Sequence, residues 1–239
     1  MAIKTPTKLQ KPHLVSVSFE LRFDADEVYS DLFALNLANA LADGNEKDVF
    51  QLPAMQLPSM VRGNDPGFRY MPLLGVKSGN AILQVGPRVL VVASDSYPGW
   101  ETFRAIVGNA LSRSENLRKK SERIGLRFVN FFEGENVEGD LNAEVRNGVD
   151  LERSSCNFSL VYREGRCLSR FSFANDAKLS MPGEQEKTGS LIDVDSFFDG
   201  DSEDIRATAD GLHDLGKKVF FGSLKRNFID AMEPVYDDD

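Results

Sequence analysis

Cysteine and histidine are scarce in this chain: two of each in 239 residues, with a single tryptophan. Four such side chains spread that thinly do not supply the close tetrahedral ligand set of a zinc site. No run approaches the ~20 consecutive apolar residues that a membrane-spanning helix needs. The N-terminus, MAIKTPTKLQKPHL, is basic but has no apolar stretch followed by a small-residue cleavage site. No secretory signal is therefore expected, and a cytoplasmic setting is. Also missing are G-x-x-x-x-G-K-[ST], a G-x-G-x-x-G after a strand, H-E-x-x-H and G-x-S-x-G, which removes the commonest nucleotide-binding and hydrolytic sites. No cofactor is implied. Basic charge is in deficit too, with 28 Lys and Arg against 37 Asp and Glu and a formal net charge of −9. That balance argues against a dedicated nucleic-acid binder, because phosphate neutralisation supplies most of such affinity.

What is present suits a soluble fold with a real core: 41% hydrophobic and 27% charged residues. In Leu14–Phe23, Val15, Val17, Phe19, Leu21 and Phe23 alternate with polar residues, the period of a half-buried strand. A helix is predicted from Asp26 to Ala42, with Val28, Leu32, Leu35 and Asn39 as its stripe. Residues 46–67 carry Pro53, Pro58 and Pro66 yet are rich in apolar side chains. They read either as a flap over a sheet face or edge, or as a partner-binding segment centred on Leu52, Met55, Leu57 and Met60. Residues 68–94 predict three antiparallel strands with turns at 78–80 and 86–88. A helix over 99–118 follows, with Trp100 anchoring its start, and then a strand over 121–132.

A Gly- and acid-rich stretch, 133–140, is the expected boundary between lobes 1–132 and 133–239. The second lobe opens with a hairpin. With Glu164 and Gly165 as central turn residues, Tyr162 opposes Cys167, Phe158 opposes Phe171 and Cys156 opposes Phe173. One face then carries Cys156, Phe158, Leu160, Tyr162, Cys167, Phe171 and Phe173. The two thiols lie about five rungs apart, roughly 17 Å at ~3.4 Å per residue, too far for a disulfide. A linker over 180–189 leads to a strand over 190–198. A long helix from Ser202 to Met232 follows, weakened by Gly211, Gly216 and Gly222, with a kink or break expected near 211–216. The expected fold is α+β: mainly antiparallel sheets with packed helices in two related lobes.

Chemistry-bearing candidates are few. His213 has Asp210 three residues away on the same helical face, a pairing that can orient a general base. Between Pro182 and Asp214 stand ten Asp and Glu against two Lys and Arg, a local balance of −8. Asp193, Asp195, Asp199, Asp201 and Glu203 offer oxygen ligands, but no EF-hand register fits, and Asp193 and Asp195 alternate along a strand's outer face. The run reads as a solvated face and a helix N-cap, with no metal. Arg113, Arg118, Lys119 and Lys120, continued by Arg123 and Arg127, form a basic cluster. A helix C-terminus attracts such charge without nucleic acid.

Two segments, Tyr97-Pro98-Gly99-Trp100-Glu101-Thr102-Phe103 and Arg123-Ile124-Gly125-Leu126-Arg127-Phe128-Val129-Asn130, occur with Leu83–Pro87, Leu191–Asp195 and Leu212-His213-Asp214. Together they resemble a sporadically distributed family of prokaryotic proteins of about this length, without an established activity. The likeness runs from 14 to 234 and is strongest over 82–130. The family's patchy occurrence is similar to that of toxin–antitoxin or anti-phage defence genes. The resemblance thus implies an antitoxin or an accessory subunit whose partner is another protein, encoded by a neighbouring gene. The sequence reading favours such a protein-binding role, with homo-oligomerisation open and no membrane partner. Its alternatives are a metal-dependent hydrolase or nuclease using His213 and nearby acids, and a nucleic-acid-binding accessory protein.

Overall fold

A computed structural model of the chain describes residues 5–24, 30–42, 48–115, 120–143, 154–180, 183 and 185–236. In chain order the elements are β1 Lys8–Leu9, β2 Leu14–Phe23, α1 Ser30–Leu41, β3 Val49–Gln51, α2 Ser59–Asn64, β4 Leu74–Ser78, β5 Ala81–Gly86 and β6 Val89–Ser94. Then come α3 Trp100–Ser114, β7 Ser121–Glu133, β8 Asn157–Glu164, β9 Cys167–Leu179, β10 Lys187–Asp199, α4 Ile205–Gly222, α5 Arg226–Ala231 and β11 Pro234–Val235. The class is α+β with mainly antiparallel sheet. Two compact units form, each from non-contiguous segments. The first is Ser16–Leu126 with Phe197–Asp210, and the second is Met1–Val15, Arg127–Ser196 and Gly211–Asp239. This division differs from contiguous lobes 1–132 and 133–239.

In the first unit the strands run β3-β4-β5-β6-β2-β7. The alternation in β2 is realised fully: Val17, Phe19, Leu21 and Phe23 are buried. Pairing Val17 with Ser94 and Arg22 with Val89 passes this face polarity on to β6. The expected meander is β4–β5–β6, its tight turns at Gly79-Asn80 and Pro87-Arg88. Helix α1 packs on β4, β5 and α3, but not through the predicted stripe. Ala34, Leu37, Ala38 and Leu41 are buried, whereas Leu32 and Leu35 are exposed, as is Asn39. Leucines stand on both sides of this helix, and the small alanines let the backbone approach the strands. The start predicted at Asp26 and the stripe position Val28 lie outside the described residues. Helix α3 buries Phe103, Val107, Ala110 and Leu111.

In the second unit the order is β7-β10-β9-β8, and β1 pairs with β11. The core here gathers Phe132, Phe171, Phe173, Ile192 and Val194 against Leu215, Val219 and Phe220 of α4. The β8–β9 hairpin forms with its central turn at Gly165-Arg166, so Glu164 opposes Cys167, Leu160 opposes Phe171 and Phe158 opposes Phe173. This register is two residues from the expected one. Gly165, at φ 59°, occupies the first central position, as a type II′ turn requires. The expected turn would have put Glu164 there instead. A shift of two preserves the faces: on the predicted side Phe171 and Phe173 are buried and Phe158 half-buried, whereas Leu160 and Tyr162, expected to be buried with them, are exposed.

Strand β10 begins at Lys187, before the expected Ser190. There Gly189 meets the backbone of Phe132: a Cβ would lie 2.1 Å from the Phe132 carbonyl oxygen. The last helix breaks at residues 223–225, not near 211–216. Gly211 and Gly216 continue α4 without interruption, while Leu224 forms a β-bridge with Leu141 and the Lys225 amide donates to the Asp140 carbonyl. A tertiary pairing ends the helix there.

Two glycine substitutions separate these effects. Gly211 is exposed in α4 with open space around a Cβ, so Gly211→Ala should stabilise by about 0.5–1 kcal/mol. Gly189→Ala should destabilise by about 1–3 kcal/mol, because backbone must move. Thermal melts of the two variants check both signs.

Candidate functional site

Residues 46–67 are not a bare loop where described. Val49–Gln51 adds an edge strand to β4, Pro53–Gln56 makes a 3-10 turn, and α2 follows with Pro58 before its first residue. Proline suits these helix starts, where its missing N–H costs no bond. Of the four side chains expected to meet a partner, Leu52, Met55 and Leu57 are half-buried and Met60 is exposed. The first three pack inward, so the accessible apolar surface is narrower than the sequence implied and shifts towards α2.

That surface is held by an ion pair the sequence did not reveal. Arg62 of α2 makes a two-pronged contact with Asp31 of α1, each N···O distance 2.8 Å, and its Nε donates to the Leu57 carbonyl at 3.0 Å. The guanidinium side chain is only 10% exposed. The hydrogen bond to Arg62 holds the Asp31 carboxyl below the usual carboxylate range, because the charged form alone can accept both prongs. Large apolar residues flank this clamp on both helices. Met60 (76% exposed) and Val61 precede Arg62, while Leu32 (54%) adjoins Asp31 and Leu35 lies one turn further on. The two helices that this charge pair joins thus expose four large apolar side chains. Thirty-one residues separate the two charged groups in sequence, so no local pattern betrays the pair.

Two carboxylates of the acidic run pair with the two arginines of the basic strand. Arg127 forks onto Asp193 at 2.8 and 2.7 Å, and Arg123 reaches Asp199 at 3.1 Å with its guanidinium 3.8 Å above the Phe197 ring. Asp201 accepts from the Ser121 backbone, and Asp204 caps α4 by accepting from the Arg206 and Ala207 amides. Among the described residues no three His, Cys, Asp or Glu side chains group so as to hold a metal ion. Arg113 donates to the Leu41 carbonyl at the end of α1, and Lys120 is exposed. Arg118 and Lys119 lie outside the described residues. Tyr70, beneath the guanidinium groups of Arg22 and Arg69, donates its hydroxyl to Glu122 at 2.5 Å. Burial first, and then Glu122, push that hydroxyl's pKa up.

His213 and Asp210 are not brought together as a dyad. Asp210 takes a fork from Arg104, at 2.6 and 2.7 Å, and His213 Nδ1 lies 3.3 Å from Asp214 instead. The imidazole is buried beside the Phe128 ring, 6.1 Å between centroids. The other histidine, His13, stacks on Phe132 at 4.5 Å. Both cysteines are free thiols, and burial pushes the Cys167 pKa up, making it a poor nucleophile. No described helix is long and apolar enough to cross a membrane. No protein-family model matches the chain, and no curated protein matches it.

The clamp has a pH signature. Because the folded carboxyl titrates lower than an unfolded one, the pair's contribution is complete above about pH 4 and is lost as pH falls through the depressed value. Asp31→Asn should lower stability at neutral pH by about 0.5–1 kcal/mol after solvent screening. The gap to the unaltered protein should close as pH drops below about 4, measured by thermal melts across a pH series.

Proposed function

We propose that the protein is a non-enzymatic protein-binding component that engages another protein through the α1–α2 surface. Carrying this reading is the group of four exposed aliphatic residues, Leu32, Leu35, Met60 and Val61, flanking the Arg62–Asp31 clamp. Met60 and its neighbours provide adaptable apolar contact, and the bidentate pair presets the helix positions so that less ordering remains at association. The sequence resemblance supports a finer reading: a cytoplasmic prokaryotic protein, an antitoxin or an accessory subunit of a defence complex, whose partner is encoded nearby.

The test is affinity capture of the tagged protein co-expressed with its genomic neighbours, with and without nuclease, read by native mass spectrometry. A stoichiometric protein partner should survive nuclease. The double variant Met60→Ser/Val61→Ser should lose that partner at least tenfold while its melting temperature stays within about 2 °C, as expected for exposed positions. Met55→Ser, at a half-buried site, should lower the melting temperature instead. Undiminished capture by the double variant would overturn the assignment of this surface.

A further inference from the structure

Strand β8 ends the sheet order of the second unit with β9 on one side and no described strand on the other. It is eight residues long, and every residue but Phe158 is exposed, including Leu160, Val161 (58%) and Tyr162 in succession. The type II′ turn makes Glu164 and Cys167 a hydrogen-bonded pair. By alternation, Asn157, Ser159, Val161 and Arg163 then aim their N–H and C=O groups away from β9. Such an edge invites pairing, and proteins ordinarily blunt it with proline, a bulge, lysine or brevity. The last strand of the first unit, β3, shows this: it is three residues long, with Pro53 two positions beyond its end. Strand β8 has none of these devices, and its register with β9 runs unbroken over all eight residues.

We propose that β8 pairs antiparallel with β8 of a second copy of this chain, about a two-fold axis at Leu160. The strand's own sequence argues for that occupant. With Leu160 opposite Leu160, the outward-directed groups match as Asn157 with Arg163 and Ser159 with Val161, so both hydrogen-bonding rows are satisfied by one register. On the other face Phe158 meets Tyr162, an aromatic cross-strand pair, twice by symmetry. No like charges meet: Arg163 stands against Asn157, and Arg163 and Glu164 leave the strand neutral in a chain of net charge −9. Leu160, directed to β9 by its backbone, falls at a non-hydrogen-bonded site of the new ladder, where side chains approach most closely. The contact area is small, so the dimer should be weak, with a dissociation constant on the order of micromolar to tens of micromolar.

The whole chain is examined by sedimentation velocity from low micromolar to near-millimolar concentration. A concentration-dependent dimer is expected. Val161→Pro removes an outward N–H without breaking a bond to β9 and should leave a monomer of unchanged far-UV circular dichroism. Leu160→Glu and Leu160→Lys place like charges across the axis, so each should be monomeric at least tenfold above the wild-type dissociation constant. Mixing the two should restore a dimer. A wild-type chain that stays monomeric throughout, a dimer that persists in Val161→Pro, or failure of the charge-swapped mixture to associate would each overturn the proposal. A monomer that instead captures a foreign peptide strand counts in the same way.

Discussion

The strict alternation of β2 is the constraint on which the first unit rests. Val17, Phe19, Leu21 and Phe23 leave no choice about which face is dry, and a slip of one residue would turn all four to water while burying Glu20 and Arg22. With that face fixed, β6 inherits its polarity through six paired residues. The opposite face becomes the place where charge collects. There Arg22 lies 2.8 Å from Glu20 and sits over the Tyr70 ring, Tyr70 reaches Glu122, and Arg123 approaches both Glu20 and Asp199. The long side chains cover apolar surface with their stems while their heads pair in a partly screened layer.

This matching changes the meaning of the acidic balance. Read along the chain, residues 182–214 look like a concentrated field. In the fold, Asp193, Asp199 and Asp210 each face an arginine from a distant segment, and Asp201 and Asp204 serve backbone amides. A carboxylate held by a fork or a cap is already satisfied, and desolvating it for a cation would forfeit those bonds. Of the basic residues, Arg123 and Arg127 are spent on Asp199 and Asp193 of the run, while Arg113 serves the Leu41 carbonyl.

Elements whose signal is local were legible: β2 from its alternation, the β4–β6 meander from its turns, and α3 with β7 from their periods. The two faces of the β8–β9 hairpin were legible for the same reason, although its register was not. Register depended on whether Gly165 took the first or second central turn position, a distinction of φ that only the turn type decides. The α1 stripe was misread because Leu32, Leu35, Leu37 and Leu41 offer two apolar faces, and only the packing against β4 and β5 chooses between them. The break after Gly222 follows from the bridge between Leu141 and Leu224, 83 positions apart. Of the candidate surface, only Met60 was read from sequence as a partner contact, whereas Leu32 and Leu35 were expected to face the core and are exposed. The Asp31–Arg62 fork and the Arg104–Asp210 fork join segments that share no pattern, and these forks decided which candidates stood together.

Trp100, at the start of α3 and 6.4 Å from the Phe103 ring, is the sole indole of the chain and belongs to the first unit. Its emission is therefore a local gauge. Ultraviolet ellipticity, by contrast, sums the strands and helices of both units. A chain of this build carries its own internal comparison: the separation between the optical and the dichroic melting curves reads the cooperativity that links one unit to the other.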